Sequence, residues 1–488
     1  MITKPNDKMG FIAKQSFYNL FSIGIGFLIG AINVLFLYPI YMGDSRQGLV
    51  VGLLAISNLI QPFLSFGLQH ALIKFYSGFT EKKEQDSLLW FVILLPLLFI
   101  AFLWGVYFFF PDTIQELLPI SSTSNFPYLK FVLYIAISTA YFELFNSWLR
   151  VHLKSVFANF LKELYPRLLI AILIFGFSFK WFDFDQFMYY LLGGYYFRLF
   201  LIIGFSFWIH RPKWHWKLPS GWQSILRYSG LIFLAGAAAS FILDIDKAML
   251  LSFSKEDVAY YSVAVYIAAV IEAPGRALFQ IISPVVAEAL NVNNKERIRQ
   301  LLKKSSTNLL LISGGIFLLI NLNLNDFYQL IAPEYQVAFL VVQLISFGKL
   351  YSMSMGCLNQ IISNSQYYHF VLFFSVFSAL LAVGLNFYFI PLFGLLGAAY
   401  ATLIVMMVIN TLKIGLIGWK MELHPYSKDT LKIVACVALI FIVFQPVSLT
   451  FSPTINILIK SSAIAIVYSS VVFFLGLLKE VRSYMKKA

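Results

Sequence analysis

Five ionisable residues stand where a charge is costly: Glu143, Arg198, Glu272, Arg276 and Lys349 each lie deep inside a long apolar run. A charge at mid-hydrocarbon depth costs at least about 2.5–3.5 kcal/mol even on lenient scales. Such residues persist where they face a wet cavity, a partner or an anionic ligand. Lys349, Arg276 and Arg198 are candidates for holding an anionic substrate group, and Glu143 and Glu272 for exchanging an ion. Each also has a plainer reading. Glu272 and Arg276 are four apart and can neutralise each other on one helix face. Glu143 can pair with Arg150, and Arg198 can snorkel or simply pack. Lys349 has no acid near it in sequence, so it needs a distant partner, a cavity or a ligand.

Amides extend this polar inventory. Asn33, Asn58, Gln61, Gln343 and Asn386 fall within apolar runs, as do Asn359 and Asn410. A lipid-facing helix has no need of them, and together they suggest a hydrated passage for polar cargo. Asp244 and Asp246, with Lys247, come roughly twenty residues into a helix, which places them near the passage's outer mouth.

Other chemistry is absent from the sequence. There is no phosphate-binding loop pattern and no HExxH pair, and the six histidines do not cluster at ligand spacing. Cys357 and Cys436 lie far apart in apolar segments, so neither a metal site nor a cofactor is expected. Gly24, Gly26 and Gly30 echo a dinucleotide fingerprint only superficially; mid-helix small residues serve close packing. Asp183-Phe-Asp185 and Asp244-Ile-Asp246 resemble the metal-binding carboxylates of sugar transferases, although an exposed acidic loop accounts for the first. The chain is not expected to be an enzyme.

The elements that must position these residues are membrane helices. Of 488 residues 60% are hydrophobic and only 12% charged, and the mean hydropathy is +0.79. A soluble domain carries roughly a quarter charged residues. Apolar stretches of about 20 residues recur, each long enough to cross a hydrocarbon core of roughly 30 Å. The expected fold is all-α, a polytopic membrane protein of about fourteen helices. These run over 16–41, 48–70, 87–110, 128–150, 165–181, 186–209, 224–253, 258–284, 304–322, 335–361, 367–390, 394–419, 430–447 and 455–478. The first is read as a retained helix, not a cleaved signal, because no small-residue cleavage site follows it.

Loop charges alternate. The basic set holds Lys82, Lys83, Arg150, Lys154, Lys162, Arg211, Lys213, Lys295, Arg297, Lys428 and Lys432 among others, and both termini join it through Lys4, Lys8, Lys14, Lys479, Arg482, Lys486 and Lys487. The acidic set holds Asp44, Asp112, Glu116, Asp183, Asp185, Asp326 and Glu334. By the positive-inside rule both termini are cytoplasmic and the helix number is even. The loop 362–368 carries no Lys or Arg and is the weak link. A net charge of +13 then reflects topology and anionic lipid headgroups, not nucleic acid.

The segments 41–62 and 254–274 share a plan: a polar turn, a small residue (Gly48, Ala259) opening the next helix, and a proline (Pro62, Pro274) further in. This suggests two parallel six-helix lobes, 1–215 and 216–422, followed by two additional helices in 423–488.

Specific strings carry a resemblance. Asp246-Lys-Ala-Met-Leu-Leu-Ser-Phe-Ser-Lys-Glu-Asp-Val-Ala-Tyr-Tyr-Ser-Val-Ala264 resembles the seventh-to-eighth helix signature of polysaccharide flippases. Asn386-Phe-Tyr-Phe-Ile-Pro-Leu-Phe-Gly-Leu-Leu-Gly-Ala-Ala-Tyr-Ala-Thr402 is similar to a second signature of that family. Ala259 stands where the family often has Gly. The family is the polysaccharide transporter branch of the multidrug/oligosaccharidyl-lipid/polysaccharide exporter superfamily. The resemblance implies a carrier of undecaprenyl-pyrophosphate-linked oligosaccharide in a bacterial cytoplasmic (inner) membrane, serving polysaccharide or O-antigen synthesis. Its two lobes would rock around a cationic cavity, coupled to H+ or Na+, with the last two helices peripheral. The expected partners are that lipid-linked substrate and membrane lipids, and the simplest state is a monomer. Two other readings stay open: a multidrug or cation antiporter of the same superfamily, and a membrane-embedded glycosyltransferase or polymerase.

Overall fold

The computed structural model describes residues 22–109, 128–152, 154–215 and 217–477. The expectations for Lys4, Lys8, Lys14, Asp112, Glu116, Lys479, Arg482, Lys486 and Lys487 lie outside the described residues. Every regular element described is helical, and the chain divides into two compact units, Met1–Ala259 and Tyr260–Ala488.

The first unit holds α1 (Ser22–Tyr41), α2 (Asp44–Ser65), α3 (Leu68–Tyr76), α4 (Lys82–Phe109), α5 (Leu129–Val151), α6 (Ser155–Asn159), α7 (Tyr165–Ser178), α8 (Phe184–Ile209) and α9 (Trp222–Leu251). Wide π turns interrupt it at Asn33–Leu37 within α1 and at Phe160–Leu164 between α6 and α7. Such turns insert one residue into a helical ladder and redirect the side chains that follow. Helix α9 packs on α2, α2 on α5 and α5 on α8. Its two parts, Trp222–Ala238 and Ser240–Leu251, meet at a 48° bend. The core beneath them is aromatic and aliphatic, built on Leu72, Leu88, Phe142, Phe145, Trp148 and Ile202.

Helix α10 (Lys255–Ala269) runs through the division. Its first turn meets α2 at Gly48, where a Cβ would stand 1.6 Å from the carbonyl oxygen of Lys255 and 3.2 Å from the amide nitrogen of Ala259. Only glycine permits this approach.

The second unit continues with a 3-10 turn at Val270–Glu272, then α11 (Ala273–Asn291), α12 (Lys295–Leu322), α13 (Leu324–Ile331), α14 (Phe339–Ser354), α15 (Leu358–Asn364), α16 (His369–Phe393), α17 (Leu395–Met421), α18 (Lys428–Phe444) and α19 (Pro453–Phe474). Local signals start several helices. Asn294 accepts from the Arg297 amide at α12, and a reciprocal Ser427–Thr430 box opens α18. The two C-terminal helices pack on α12 through Leu310, Leu318, Ile433, Val437, Ile440 and Ile464. A buried charge pair also holds α19. Lys460 Nζ lies 2.8 Å from Asp326 Oδ2 on α13, and Asn456 donates to Asp326 Oδ1 at 2.8 Å. Asp326 belongs to the acidic loop set, yet it lies on a helix and is 6% exposed.

A helix stands at each of the fourteen expected positions. Among the described residues ten are long and apolar enough to cross a membrane, or eleven with the bent α9. The other three, α5, α7 and α18, fall outside that set. Compactness also divides the chain elsewhere than the proposed repeat, since α9 clusters with the first unit. Leu98, Phe102, Phe200, Leu243, Ile281, Phe387 and Phe474 are all exposed, an outer surface suited to lipid and not to water.

Candidate functional site

In the second unit the helix carrying Glu272 breaks at the point where that residue sits. Pro274 has no N–H to donate, so α10 passes through a 3-10 turn before α11 resumes. The break presents Glu272 to α14. Glu272 Oε2 accepts from Lys349 Nζ at 2.8 Å, with the two side chains 21% and 18% exposed. Gly275 lets the helices come this close, for a Cβ there would lie 2.6 Å from Met353 Sδ.

Glu272 lines a cavity of about 250 Å3 whose wall also includes Arg276, Ser352, Asn359 and Asn410. Asn410 on α17 donates to Ser352 Oγ at 2.8 Å, and Ser352 donates to the Gly348 carbonyl at 3.1 Å. Arg276 and the Lys349–Glu272 pair thus stand beside amide and hydroxyl groups. This arrangement can hold an anion. The same unit has a larger cavity of about 670 Å3 between α12, α14 and α18, lined by Leu310, Phe317, Leu350, Val437 and Phe441 among others and almost wholly apolar.

The first unit has its own charged cluster. Glu143 Oε1 lies 2.8 Å from Lys162 Nζ, and Asn146 donates to Glu143 Oε2 at 3.2 Å. The π turn after α6 carries Lys162 into place. Lys162, not Arg150, is therefore the partner of Glu143. Arg198 is 5% exposed and lies over Phe142 and Tyr195, 4.2 and 4.8 Å from their ring centroids. Its Nε and one Nη have no hydrogen-bond partner among the described residues. The aromatic faces supply the attraction that a carboxylate would otherwise give.

The remaining candidates are dispersed. Asn33, in the π turn of α1, donates to the Arg167 carbonyl at 2.7 Å and ties α1 to α7. Asn58 donates to Asp244 Oδ2 at 3.1 Å, while Lys247 lies 2.6 Å from Asp244 Oδ1. That acid is thus engaged within its own unit, joining α2 to α9. Gln61 bonds Ser65 one turn on. Asp246 and Asn386 are buried, and Gln343 is half-buried on α14. Lys349, Glu272 and Arg276 come together; Glu143 and Arg198 lie in the other unit.

The structure also answers the transferase resemblance. Asp183 caps α8, accepting from the Gln186 amide at 2.8 Å, and Asp185 accepts from the Tyr128 hydroxyl. Among the described residues no three His, Cys, Asp or Glu side chains gather as metal ligands.

One cluster escaped the sequence reading. The rings of His152 and His210 stack with centroids 5.3 Å apart. His210 Nε2 lies 2.7 Å from Asp86 Oδ1, and His152 contacts the Tyr76 hydroxyl at 3.1 Å. It clasps the ends of α3, α4, α5 and α8. Spacings of tens of residues hid it.

A family profile described as polysaccharide biosynthesis protein matches residues 12–290, and one described as MatE matches residues 232–388. The first spans more than half of the chain. The chain belongs to the polysaccharide biosynthesis protein family, within the multidrug/oligosaccharidyl-lipid/polysaccharide exporter superfamily of membrane transporters. A solved structure described as "Lipid II flippase MurJ, inward closed conformation" aligns with a TM-score of 0.74 at 17% identity, covering 94% of this chain and 98% of its own. An inward-facing multidrug resistance MATE family transporter aligns at 0.54 and 15%, covering 84% and 94%. These two share the fold. No curated protein sequence matches the chain.

Proposed function

We propose that this transporter is a flippase that moves an undecaprenyl-pyrophosphate-linked oligosaccharide across the bacterial cytoplasmic membrane. The observation that carries the reading is the polar cavity beside the broken helix, lined by Arg276 and by Glu272, to which Lys349 is paired. A pyrophosphate needs two cations, and amides such as Asn359 and Asn410 suit sugar hydroxyls. The apolar cavity in the same unit suits a polyprenyl chain. Lobes 1–215 and 216–422 alternate access, 423–488 adds two helices, and both termini are cytoplasmic. Glu143 or Glu272 couples transport to H+ or Na+. The protein works as a monomer.

The relative described as a lipid II flippase extends the same cargo chemistry to a peptidoglycan precursor. The MatE profile favours a second reading, a cation antiporter. The decisive assay is translocation of a fluorescent undecaprenyl-pyrophosphate oligosaccharide in proteoliposomes, with and without an imposed proton or sodium gradient. Gradient-sensitive flipping is expected, with loss of at least about tenfold in Lys349→Ala. Normal flipping by Lys349→Ala removes that residue from the site. Transport of ethidium with no lipid flipping replaces the whole reading by the antiporter.

A further inference from the structure

We infer that the connection from α8 to α9, residues 210–221, is a docking strap for the headgroup of an anionic phospholipid, one that the protein holds and does not carry. The case rests on how this stretch is fastened and on which side chains it leaves facing outward.

The strap is tied to the first turns of α4. Asp86 is buried; one of its oxygens lies 2.7 Å from His210 Nε2, and the other accepts from the Lys213 amide at 3.0 Å. Glu84 accepts from the Ser220 amide and from the Ser220 hydroxyl, each at 2.8 Å. Trp214 meets Trp90 edge-on with ring centroids 4.8 Å apart, and Pro212 and Pro219 are buried. Bonds near both ends hold the backbone in place, so what it presents is preorganised for a ligand.

What it presents is positive. Residues 74–86 and 210–227 together carry seven Lys and Arg against three Asp and Glu. Arg211, Lys213 and Lys217 are exposed, whereas Glu84 is half-buried. Lys217 lies in the field of Glu84, but Arg211 and Lys213 form no ion pair among the described residues. Cations at helix ends in the second unit are placed otherwise: Lys295 meets Glu422 at 2.6 Å and Lys432 meets Asp429 at 3.5 Å. Three tryptophans complete the surface. Trp208 is 76% exposed, and Trp214 and Trp222 are exposed as well. Such rings settle at headgroup depth, apolar body inward and N–H toward water. Cations held at that depth attract negative headgroups. A zwitterionic headgroup carries its own ammonium and gains less, and a free phosphate has no use for the rings.

The test is a lipid titration of the full-length protein in mild detergent, read as the rise in unfolding midpoint. Phosphatidylglycerol is expected to act at about tenfold lower concentration than phosphatidylcholine. In Arg211→Gln/Lys213→Gln that advantage should vanish, while Arg211→Lys/Lys213→Arg, which keeps both charges, should retain it. Lys213→Gln alone should lose part of it and serves if the glutamine pair does not fold. Lys295→Gln/Lys432→Gln removes as much charge from the second unit and should leave the advantage intact. Equal action of the two lipids on the native chain overturns the strap. So does an equal loss in the Lys295/Lys432 pair, which assigns the effect to net charge. A matching rise with inorganic phosphate replaces the lipid by a free anion.

Discussion

At the scale of single residues, Lys349 and Lys162 each answer a carboxylate whose partner the sequence left open. Depth in apolar runs was enough to single out Glu143, Glu272, Arg276 and Lys349. Pairing was not legible, because Lys349 lies 77 residues from Glu272 and Lys162 reads as one more basic loop residue. Helical periodicity nominated Arg276 for Glu272, and the 3-10 turn brings in Lys349. The histidine clasp makes a prediction of its own kind. Burial holds the His152 imidazole below its ordinary value of 6.5, and the neighbouring His210 adds to this against the opposing Trp148 carbonyl. The unfolded chain therefore binds the proton more readily. The contribution of this residue is complete above pH 6.5 and is lost as pH falls through the lower folded value. The hydrogen-exchange protection factor of the Lys154 amide, which bonds the Leu149 carbonyl at 2.8 Å, should fall on acidification. His152→Gln should flatten that dependence; an identical profile in the variant assigns the effect elsewhere.

Elements were more legible than contacts, because a membrane span advertises itself by length and composition alone. The ten strongest spans overlap the apolar runs, with ends that differ by up to nine residues, as at the start of α12. What the runs concealed were the interruptions. The π turns at Asn33–Leu37 and Phe160–Leu164 carry no proline or glycine, so their composition gives no warning. The tie between α13 and α19 was equally hidden, because Asp326 and Lys460 lie 134 residues apart. Breaking a buried ion pair by removing one partner costs about 3–5 kcal/mol. Lys460→Met should therefore lower the unfolding midpoint in detergent markedly. Adding Asp326→Asn, which removes the stranded charge, should recover part of the loss. A Lys460→Met protein as stable as the native chain shows that α19 is held by apolar packing alone.

For the whole molecule, the distribution of charge says more than its sum. The positive-inside reading makes Lys82 cytoplasmic and Glu334 external. In intact cells an impermeant maleimide should label Glu334→Cys and leave Lys82→Cys unlabelled until the membrane is opened; Cys357 and Cys436 are both buried. The reverse pattern inverts the topology and the direction of flipping with it. The family, the helical fold and the class of transporter were all legible from two signature strings and hydropathy. The repeat draws its line before α9, and compactness draws another within α10.

Residues that face lipid need only stay oily, so Leu98 or Phe474 can drift among apolar types over generations without penalty. The crossing at Gly48 obeys another law. With a Cβ only 1.6 Å from a carbonyl oxygen, nineteen of the twenty amino acids are excluded by geometry, whatever their polarity. Descendants of this sequence will therefore diverge fastest around the rim and keep a single letter where α2 touches α10, a fixed point from which distant copies can be brought into register.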